Sequence, residues 1–359
     1  MQRFGKGLNK SKRVNKLQIL TYNEIDREQW STLVRTSATG TWFQTPEAYE
    51  FFASMPELFQ PFVVAVKSEE VRGKGQQLRG VCVGYVTKEK SKTKEFFTRR
   101  AIIIGGPCLS DDCINEEVEA LMRGVNELTS ERVNDAPIYI ETRNFNDYSR
   151  WKDAFEKAGF DYKPHLNFHV DCTDKEKLWE RLSENRKRQI RKAQAAIECL
   201  ANERVNEEEI RVWYEILKQL YRTKVKTPLW PVEFFIEAYR QGIGKFLFSK
   251  HKGKIIGGSM VVADERTVYE WFECGMNNEY KEQYPSVMAT YAGMEFAHEQ
   301  GCNRYDMMGA GEPGVPYGVR DFKSEFGGKM VEEGRFLCVC KPLLYQIGKM
   351  GVKILKGRK

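Results

Sequence analysis

The segment 321–328, DFKSEFGG, combines an ammonium group, aromatic rings and paired glycines in a short stretch. Lys323 follows Phe322, and the segment ends with Gly327 and Gly328. A lysine ammonium can stabilise the negative charge that develops on the carbonyl oxygen during acyl transfer. Adjacent glycines allow another group to approach the backbone closely. The segment therefore suits a site at which an amine attacks an activated carbonyl.

Three carboxylates lie near Lys323 in the sequence: Asp306, Asp321 and Glu325. Each could accept the proton that an attacking amine must lose. For each, a structural role or a position in solvent is favoured over a catalytic role. The sequence alone does not identify the base, and positioning of the two substrates can suffice for the reaction.

Basic residues cluster in the stretch 181–192, which has a net charge of +5 because Glu184 is its only acid. In a helix, Arg188 and Lys192 share a face. Such a face could bind phosphate groups, either of a nucleic-acid backbone or of a pyrophosphate. The alternative is a solvated helix face. A second cluster before Pro228 could contact the acceptor or lie in solvent, and it consists of Arg222, Lys224 and Lys226.

The net charge of +7 is concentrated at the two ends of the chain. Residues 1–16 carry six basic and no acidic residues, and residues 341–359 carry the same numbers. Residues 17–340 therefore have a net charge of −5. An attraction to nucleic acid is not a property of the whole chain, and the basic ends are the better guide to an anionic partner.

Composition excludes several other classes. The nine cysteines include no Cys-x-x-Cys pair, which disfavours disulfides and zinc sites. His165 and His169 have the spacing of a helical ligand pair, but Pro164 and the extended pattern around Phe168 favour a strand. No apolar run approaches the roughly 20 residues of a membrane span, and no apolar region follows the basic amino terminus. We expect reduced thiols, no metal and a cytoplasmic location.

The segment 309–314, GAGEPG, has the G-x-G-x-x-G spacing of a dinucleotide site. Such a site needs a following helix whose N-terminus binds pyrophosphate. Pro313, Pro316 and Gly318 disfavour this helix, so we expect a flexible loop over the active site and no cofactor. The segments 72–75 and 241–244 miss the R/Q-x-x-G-x-G/A spacing of acetyl-CoA sites, which disfavours CoA without excluding it.

Short apolar runs alternate with helical patterns throughout 17–340, which predicts an α/β protein with mixed sheets flanked by helices. Two features recur in both halves: a pair of strands joined by a basic, glycine-containing turn, and a helix that ends in glycine before an aromatic-containing or cysteine-containing strand. This weak repeat indicates two copies of one unit. We predict a basic tail at 1–16, a first unit at 17–170, and a second unit at 171–330, with 331–359 packing back on the first.

Four segments in order resemble the Fem family, which builds the interpeptide bridge of peptidoglycan from aminoacyl-tRNA. The segments are FQTPE at 43–47, Gly106 with Pro107, the basic run 178–193 containing RQIRKA, and YDMMG at 305–309 followed by 321–328. The last is the most specific. The resemblance implies two tandem GNAT-like acyltransferase units, without the long helical arm of larger members, because only 200–206 separate the predicted helices 178–199 and 207–221.

The resemblance also implies an enzyme that transfers an aminoacyl group from aminoacyl-tRNA to an amine of a peptidoglycan precursor. Phe322 and Lys323 would lie at the donor carbonyl, and Asp306 completes the candidate catalytic set. The candidate substrate-binding residues are Gln44, Thr45, Arg186, Arg188, Arg191, Lys192, Arg222, Lys224, Tyr305, Gly327 and Gly328. Two alternatives stay open: an acyl-CoA-dependent transferase acting on a cell-envelope sugar or amine, and a non-catalytic RNA-binding or membrane-binding protein of the same fold.

The carboxyl-terminal segment 342–359 has a basic amphipathic pattern. Apolar residues fall at i, i+4, i+7 and i+11, with lysines and Arg358 elsewhere: Leu343, Ile347, Met350 and Ile354. Such a helix suits peripheral contact with the anionic inner leaflet of a membrane. Packing on the first unit is the alternative, and three glycines weaken the segment as an isolated helix.

Replacement of Lys323 by alanine tests the central assignment. If the ammonium stabilises the oxyanion, Lys323→Ala folds normally but loses transfer by a factor of about 10² to 10³. The measurement is the turnover number in a reconstituted transfer assay. An unchanged rate would remove Lys323 from the catalytic set.

Overall fold

Two mixed sheets form the framework of the protein. The computed structural model describes residues 17–69, 76–130, 136–200 and 205–357, so the predicted basic tail lies outside the described residues. The first sheet contains β1 (Gln18–Thr21), β2 (Phe59–Glu69), β3 (Gln76–Thr87), β4 (Ala101–Gly105), β5 (Cys108–Leu109), β6 (Tyr139–Asn144), β7 (Asp161–Lys163) and β15 (Arg335–Val339). The second contains β8 (Leu166–Asp171), β9 (Glu198–Leu200), β10 (Lys245–His251), β11 (Lys254–Ala263), β12 (Thr267–Gly275), β13 (Arg304–Asp306) and β14 (Lys329–Glu332).

Helices cover these sheets and connect their strands. In the described residues they are α1 (Arg27–Thr36), α2 (Pro46–Ala53), α3 (Lys92–Thr98), α4 (Asn115–Ser130), α5 (Lys152–Lys157), α6 (Lys175–Arg181), α7 (Glu184–Gln194), α8 (Glu207–Leu220), α9 (Val232–Arg240), α10 (Pro285–Glu299), α11 (Gly318–Ser324) and α12 (Pro342–Gly357). The predicted α/β class with mixed sheets and without a helical arm is confirmed.

The two sheets repeat one arrangement of strands. In the first, β2, β3 and β4 are antiparallel neighbours, and β6 returns parallel to β4 after α4. In the second, β10, β11 and β12 are antiparallel neighbours, and β13 returns parallel to β12 after α10. A parallel return requires such a crossover, because the chain must travel back along the sheet. Each half therefore places the ends of two parallel strands beside each other.

An aromatic core joins the two halves. Phe43 and Phe51 from the first half contact Trp271 of β12, with ring centroids 5.0 and 6.5 Å apart. Phe234 of α9 lies 5.3 Å from the same indole. Burial of each large ring contributes about 2 kcal/mol, so this core holds the sheets in a fixed relation. We call it the aromatic seam.

The boundary predicted at 170 is too late. Strand β8 begins at Leu166 and pairs with β13 and β14 of the second sheet. Strand β15, beyond the predicted end of the second unit, pairs with β6 and β7 and so completes the first sheet. The chain therefore crosses from one sheet to the other twice, near 164 and near 333.

The single helix predicted at 178–199 is wrong. The chain forms α6 and α7 and then the short strand β9. Leu182 is extended and ends α6, while the Ser183 hydroxyl accepts a hydrogen bond from the Arg186 amide and caps α7. Serine is a strong N-cap residue, and this local signal overrides the helical pattern.

The carboxyl-terminal helix α12 contacts the first sheet on one side only. The Tyr345 ring lies 5.6 Å from Tyr139 of β6, whereas the predicted apolar stripe of Leu343, Ile347 and Met350 is exposed. The side chain of Ile354 lies outside the part of the chain that the structure describes. Within the described residues, none of the helices has the length and hydropathy to cross a bilayer.

Gly327 occupies a backbone conformation that other residues rarely adopt. Its φ is +75°, and a Cβ atom there would lie 2.4 Å from the carbonyl oxygen of Arg181. Gly301 provides a comparison because its φ is +72° and a Cβ atom would meet nothing within 4 Å. Gly327 therefore allows α6 to pack closely against the end of α11, which explains this glycine without a substrate.

We expect Gly327→Ala to reduce the free energy of unfolding more than Gly301→Ala does. Both changes carry the backbone cost of about 1–2 kcal/mol for a left-handed residue, but only the first also forces Arg181 away. Urea denaturation of both variants measures the difference. Equal losses would mean that the close approach to Arg181 contributes nothing to stability.

Candidate active site

A cavity of about 500 Å³ lies between the two sheets. Its wall includes Tyr85 from β3 and Trp271 from β12, together with residues that follow β13. The turn after α8 adds Tyr221 and Trp230. Because the parallel strands of both halves end here, residues far apart in the sequence reach one space.

A bulge in β12 turns two glutamates into the cavity. Met260 of β11 pairs with Phe272, and the next residue, Val261, pairs with Glu270, so Trp271 is an extra residue on β12. An inserted residue reverses the alternation of side chains beyond it. Glu270 and Glu273, at an odd spacing, therefore line the same cavity.

Lys323 of α11 reaches the same wall. Its ammonium donates hydrogen bonds to the carbonyl oxygens of Met307 and, at 2.9 Å, Gly309. Burial lowers the pKa of Lys323 below its ordinary value, whereas the carboxylates of Glu270 and Asp306 oppose this shift. An ammonium has three donors, and two of them bind backbone in the described residues. The predicted position of Lys323 at a reaction centre is thus compatible with the geometry.

The two glutamates are held in unequal environments. Glu270 accepts hydrogen bonds from the hydroxyls of Thr290 and Tyr305, each at 2.8 Å. Burial raises the pKa of Glu270, although Lys323 and these hydroxyls oppose the shift. Burial and the neighbouring Glu270 raise the pKa of Glu273 to about 8. A carboxyl group that titrates near neutral pH is suited to proton transfer, so Glu273 is the candidate base.

The first sheet lines the cavity with cations. Arg143 and Arg335 share Glu141, whose carboxylate accepts hydrogen bonds at 2.8 and 3.1 Å. Arg100 also faces the cavity, and its Nε has no hydrogen-bond partner among the described residues. Three guanidinium groups against one carboxylate leave this wall with an excess of positive charge, and we call it the arginine wall.

His165 is a neutral member of this wall. Its Nε2 lies 3.0 Å from Nη2 of Arg335. Burial, followed by the charge of Arg335, lowers the pKa of His165 to about 4. The imidazole therefore accepts a hydrogen bond from Arg335 at neutral pH and adds no charge. In the residues that the structure describes, no group of side chains could hold a metal ion.

Asp306 is buried away from the cavity, contrary to its predicted catalytic role. Its carboxylate accepts a hydrogen bond at 2.8 Å from Asn167 and lies 3.2 Å from Nε2 of His169. The same nitrogen lies 3.2 Å from Glu333. Burial disfavours charge on the ring, but the two carboxylates raise the pKa of His169 to about 9. Asp306 therefore belongs to an ionic cluster that ties β13 and β8 to the 333 crossing.

Phe322 and Arg186 form a second structural contact. The Arg186 guanidinium stacks over Phe322 at 4.7 Å and over Phe326 at 4.5 Å, and it donates to the Phe322 carbonyl oxygen. Its side chain is 4% exposed. In this structure Arg186 therefore contacts α11 and is almost fully buried, so its guanidinium is not exposed for a phosphate, and the predicted position of Phe322 at the donor carbonyl stays a prediction.

Other predicted binding residues also serve the fold. The Gln44 side-chain amide is buried and bonds to backbone groups of Val83 and Ile104. Thr45 caps α2 by accepting from the Ala48 amide. Tyr305 is buried in the core, and its hydroxyl donates a hydrogen bond to Glu270. Gly328 lies against Val170 of β8.

The remaining predicted residues lie on the surface. Arg188 donates to Asn185, the Arg191 guanidinium lies 5.3 Å from the Trp179 ring, and Lys192 pairs with Glu282. Arg222 and Lys224 are exposed in the single π-helical turn after α8, which also contributes Tyr221 and Val225 to the cavity. These two cations therefore lie beside the cavity opening, whereas α7 does not line it.

The two glutamates and the arginine wall were not predicted from the sequence. A signal for Glu270 and Glu273 exists, because they interrupt the otherwise apolar and aromatic strand TVYEWFECG. Charges within buried strands are uncommon unless they are paired or functional, and this rule would have identified the two glutamates. The strand YIETRN is mostly polar, so Arg143 gives no such signal.

The family model described as an acetyltransferase (GNAT) domain matches residues 181–324. None of the curated proteins matches the chain. Among solved structures, FemX is 14% identical, with a TM-score of 0.66 over 92% of this chain and 99% of its own. A tandem GNAT protein from the clavulanic acid biosynthesis pathway is 10% identical, with a TM-score of 0.55 over 90% and 98%. L-PGS from Bacillus licheniformis is 12% identical, with a TM-score of 0.51 over 93% and 97%.

These similarities confirm the tandem GNAT-like fold and its likeness to a Fem protein. The expected enzyme class, an acyltransferase, is supported by the domain match, which includes the bulged strand β12 and ends at Ser324, next to Lys323. The match does not extend over the arginine wall, whose residues lie on β6, on β15 and directly before β4.

Replacement of Glu273 by glutamine should change how stability depends on pH. The folded pKa of about 8 lies above the ordinary value of 4.5, so between these values the folded carboxyl keeps a proton that the unfolded one releases. Wild-type stability therefore falls as pH rises through this window. Glu273→Gln removes this dependence and should be more stable than wild type by on the order of 2 kcal/mol at pH 9, but not at pH 5.

Urea denaturation at both pH values measures this effect. The matched control is Glu279→Gln, which changes an exposed carboxylate in the turn after the same strand. If Glu273→Gln and the control respond alike to pH, Glu273 has an ordinary pKa and is not the proton acceptor.

Proposed function

We propose that this protein is an N-acyltransferase of the Fem type, which transfers an aminoacyl group from aminoacyl-tRNA to an amine of a peptidoglycan precursor. One observation carries the proposal: the cavity joins a proton-accepting glutamate and a lysine on one wall to an excess of arginines on the other. The glutamate and the lysine serve acyl transfer to an amine. The arginines serve the binding of an anionic substrate.

The reaction needs one nucleophilic attack and one proton transfer. The acceptor amine attacks the carbonyl carbon of the aminoacyl ester, a C–N bond forms, and the carbonyl oxygen becomes an oxyanion. The ester C–O bond then breaks, and the terminal ribose of the tRNA leaves as a hydroxyl. Glu273 accepts the proton from the amine and returns it to the leaving oxygen, so the reaction needs no further reactant.

Lys323 stabilises the charge that develops in this sequence. Its ammonium is fixed by two backbone carbonyls, so no reorganisation is needed when the oxyanion forms. The same ammonium lies close enough to Glu270 and Glu273 to influence their pKa values. On this wall the Lys323 ammonium offsets the negative charge of Glu270, while Glu273 is mostly protonated at neutral pH.

The arginine wall suits the phosphates or carboxylates of the acceptor. Guanidinium groups bind such anions through paired hydrogen bonds. The side chain of Arg143 keeps 39% of its surface accessible although it lies within the cavity, so it can meet a ligand without moving. The donor would then approach past the exposed Arg222 and Lys224, whose charges suit an RNA backbone.

An acyl-CoA donor is the second candidate, because residues 181–324 match an acetyltransferase model. Such a donor needs a free helix N-terminus or glycine-rich loop for its pyrophosphate. The connection from β12 to α10, residues 276–284, contains no glycine. The side-chain oxygen of Asn277 already accepts the Ser286 amide of α10 at 3.2 Å, which leaves less of this terminus for a phosphate.

A comparison of donors tests the two candidates. Purified protein is incubated with nucleotide-linked and lipid-linked peptidoglycan precursors and with either charged tRNA or acyl-CoA. We expect the precursor to gain the mass of one amino acid from charged tRNA, and RNase treatment of the tRNA to abolish this gain. Transfer from acyl-CoA alone, with no transfer from charged tRNA, would overturn the proposal.

Substitutions separate binding from chemistry in the same assay. Arg143→Gln should raise the acceptor KM by roughly tenfold or more with little change in kcat, because it removes a charge-assisted contact. Glu273→Gln should lower kcat by about 10² to 10⁴. The control is Arg123→Gln on the surface of α4. A loss of kcat without a change in KM for Arg143→Gln would contradict its role in acceptor binding.

A further inference from the structure

Two helices leave large apolar side chains uncovered on the surface. In α3, Phe96 and Phe97 are 51% and 53% exposed, and none of its residues is buried. In α12, Leu343 is 82% exposed, and Ile347 and Met350 follow it along the same stripe. Scattered apolar residues on a surface are ordinary, but a contiguous group marks an interaction site.

The two helices belong to one surface. The ammonium of Lys341, which directly precedes α12, lies 5.7 Å from the Phe96 ring of α3. On its inner side α12 contacts the sheet through Tyr345 and Tyr139. The apolar stripe therefore faces outward beside the two phenylalanines. We call this surface the α3–α12 face.

Cations surround these apolar groups. The stretch 88–100 carries six basic residues and two acids, Glu89 and Glu95. Both acids are paired, Glu89 with Lys94 at 2.8 Å and Glu95 with Arg99 at 2.5 Å. The sequence from 341 to 357 contains four lysines and no acid. Apolar side chains within a positive rim complement an anionic bilayer, which offers both a hydrocarbon phase and negative headgroups.

The α3–α12 face adjoins the opening of the cavity. Helix α3 connects β3 to β4, and the residues at the two ends of this connection, Thr87 and Arg100, line the cavity. The Thr87 hydroxyl contacts the carbonyl oxygen of Thr98 at the end of α3. The α3 part of the α3–α12 face therefore lies next to the arginine wall.

We propose that the protein docks through the α3–α12 face on an anionic lipid bilayer. Phe96, Phe97 and the stripe of α12 enter the boundary between headgroups and acyl chains, while the lysines bind anionic headgroups. Docking in this orientation presents the arginine wall to molecules held in the membrane. The binding step itself does not depend on the proposed function, but delivery of a lipid-linked acceptor rests on it.

The test measures binding of the purified full chain to vesicles that contain no acceptor. Vesicles of phosphatidylcholine with phosphatidylglycerol are compared with vesicles of phosphatidylcholine alone by sedimentation. We expect binding only to the anionic vesicles, and at least about tenfold weaker binding for the double variant Phe96→Ser with Phe97→Ser. Leu343→Ser with Ile347→Ser should weaken binding in the same direction.

The control is Val212→Ser with Met330→Ser, which changes exposed apolar residues on α8 and β14. It should bind like wild type, and circular dichroism should show that every variant is folded. Equal binding by the phenylalanine variant and the control would overturn the proposal. Two further outcomes would overturn it, each with vesicle binding kept by the phenylalanine variant. Loss of tRNA binding would mean that the face serves RNA. A wild-type dimer that becomes a monomer in the variant would mean that the face binds a second copy.

Transfer activity distinguishes this inference from the proposed function. The phenylalanine variant should transfer to a nucleotide-linked acceptor at the wild-type rate, because no acceptor is then held in a membrane. Loss of vesicle binding with normal transfer supports the docking face. If wild type transfers no amino acid but still binds anionic vesicles through these residues, the proposed function fails and the docking inference stands.

Discussion

The position of Trp271 connects the stability of the protein to its candidate active site. This indole is the extra residue of the β12 bulge, and it packs on Phe43 and Phe234 in the aromatic seam. The seam therefore fixes the bulge, and the bulge determines that Glu270 and Glu273 face the cavity. Without the insertion, one of the two carboxylates would point to the opposite side of the sheet.

The cavity concentrates charge at a cost to stability. Removing carboxylates and cations from water is unfavourable, and their mutual attraction compensates only where geometry is good. Glu270 has two hydroxyl donors and Glu141 has two guanidinium donors, whereas a Glu273 oxygen and the Arg100 Nε have no partner among the described residues. The compensated groups hold the site together. The uncompensated ones are a net cost to folding stability.

The sequence predicted the architecture better than the site. The α/β class, helix α2 and the antiparallel strands β10 to β12 follow from local patterns of apolar residues, turns and caps. Lys323 was identified because its neighbours resemble a known motif. Gln44, Phe322 and Arg186 belong to the same motifs, yet their side chains bind backbone or one another. A motif shows which residues matter, and burial and contacts decide whether they serve the fold or the substrate.

The residues that were missed depend on long-range geometry. Glu270 and Glu273 share a face only because of a bulge, and no local pattern fixes where a bulge occurs. Arg143 and Arg335 lie on β6 and β15, and Arg100 directly precedes β4, so these residues are far apart in the sequence and meet only through the order of the sheet. The place at which the chain enters the second sheet has the same origin, because β8 begins before residue 170 and pairs with β13 and β14.

The two halves have the same strand arrangement but supply different chemistry. The first sheet contributes the arginine wall, and the second contributes the carboxylates of β12, with Lys323 from the helix after β13. Neither half contains both an anion-binding wall and a proton-accepting group. In this chain the two sets of groups line one cavity because the two sheets face each other across it. The chain crosses from one sheet to the other near 164 and 333, and these crossings hold the two sheets together. The ionic cluster of His169, Asp306 and Glu333 lies at the second crossing.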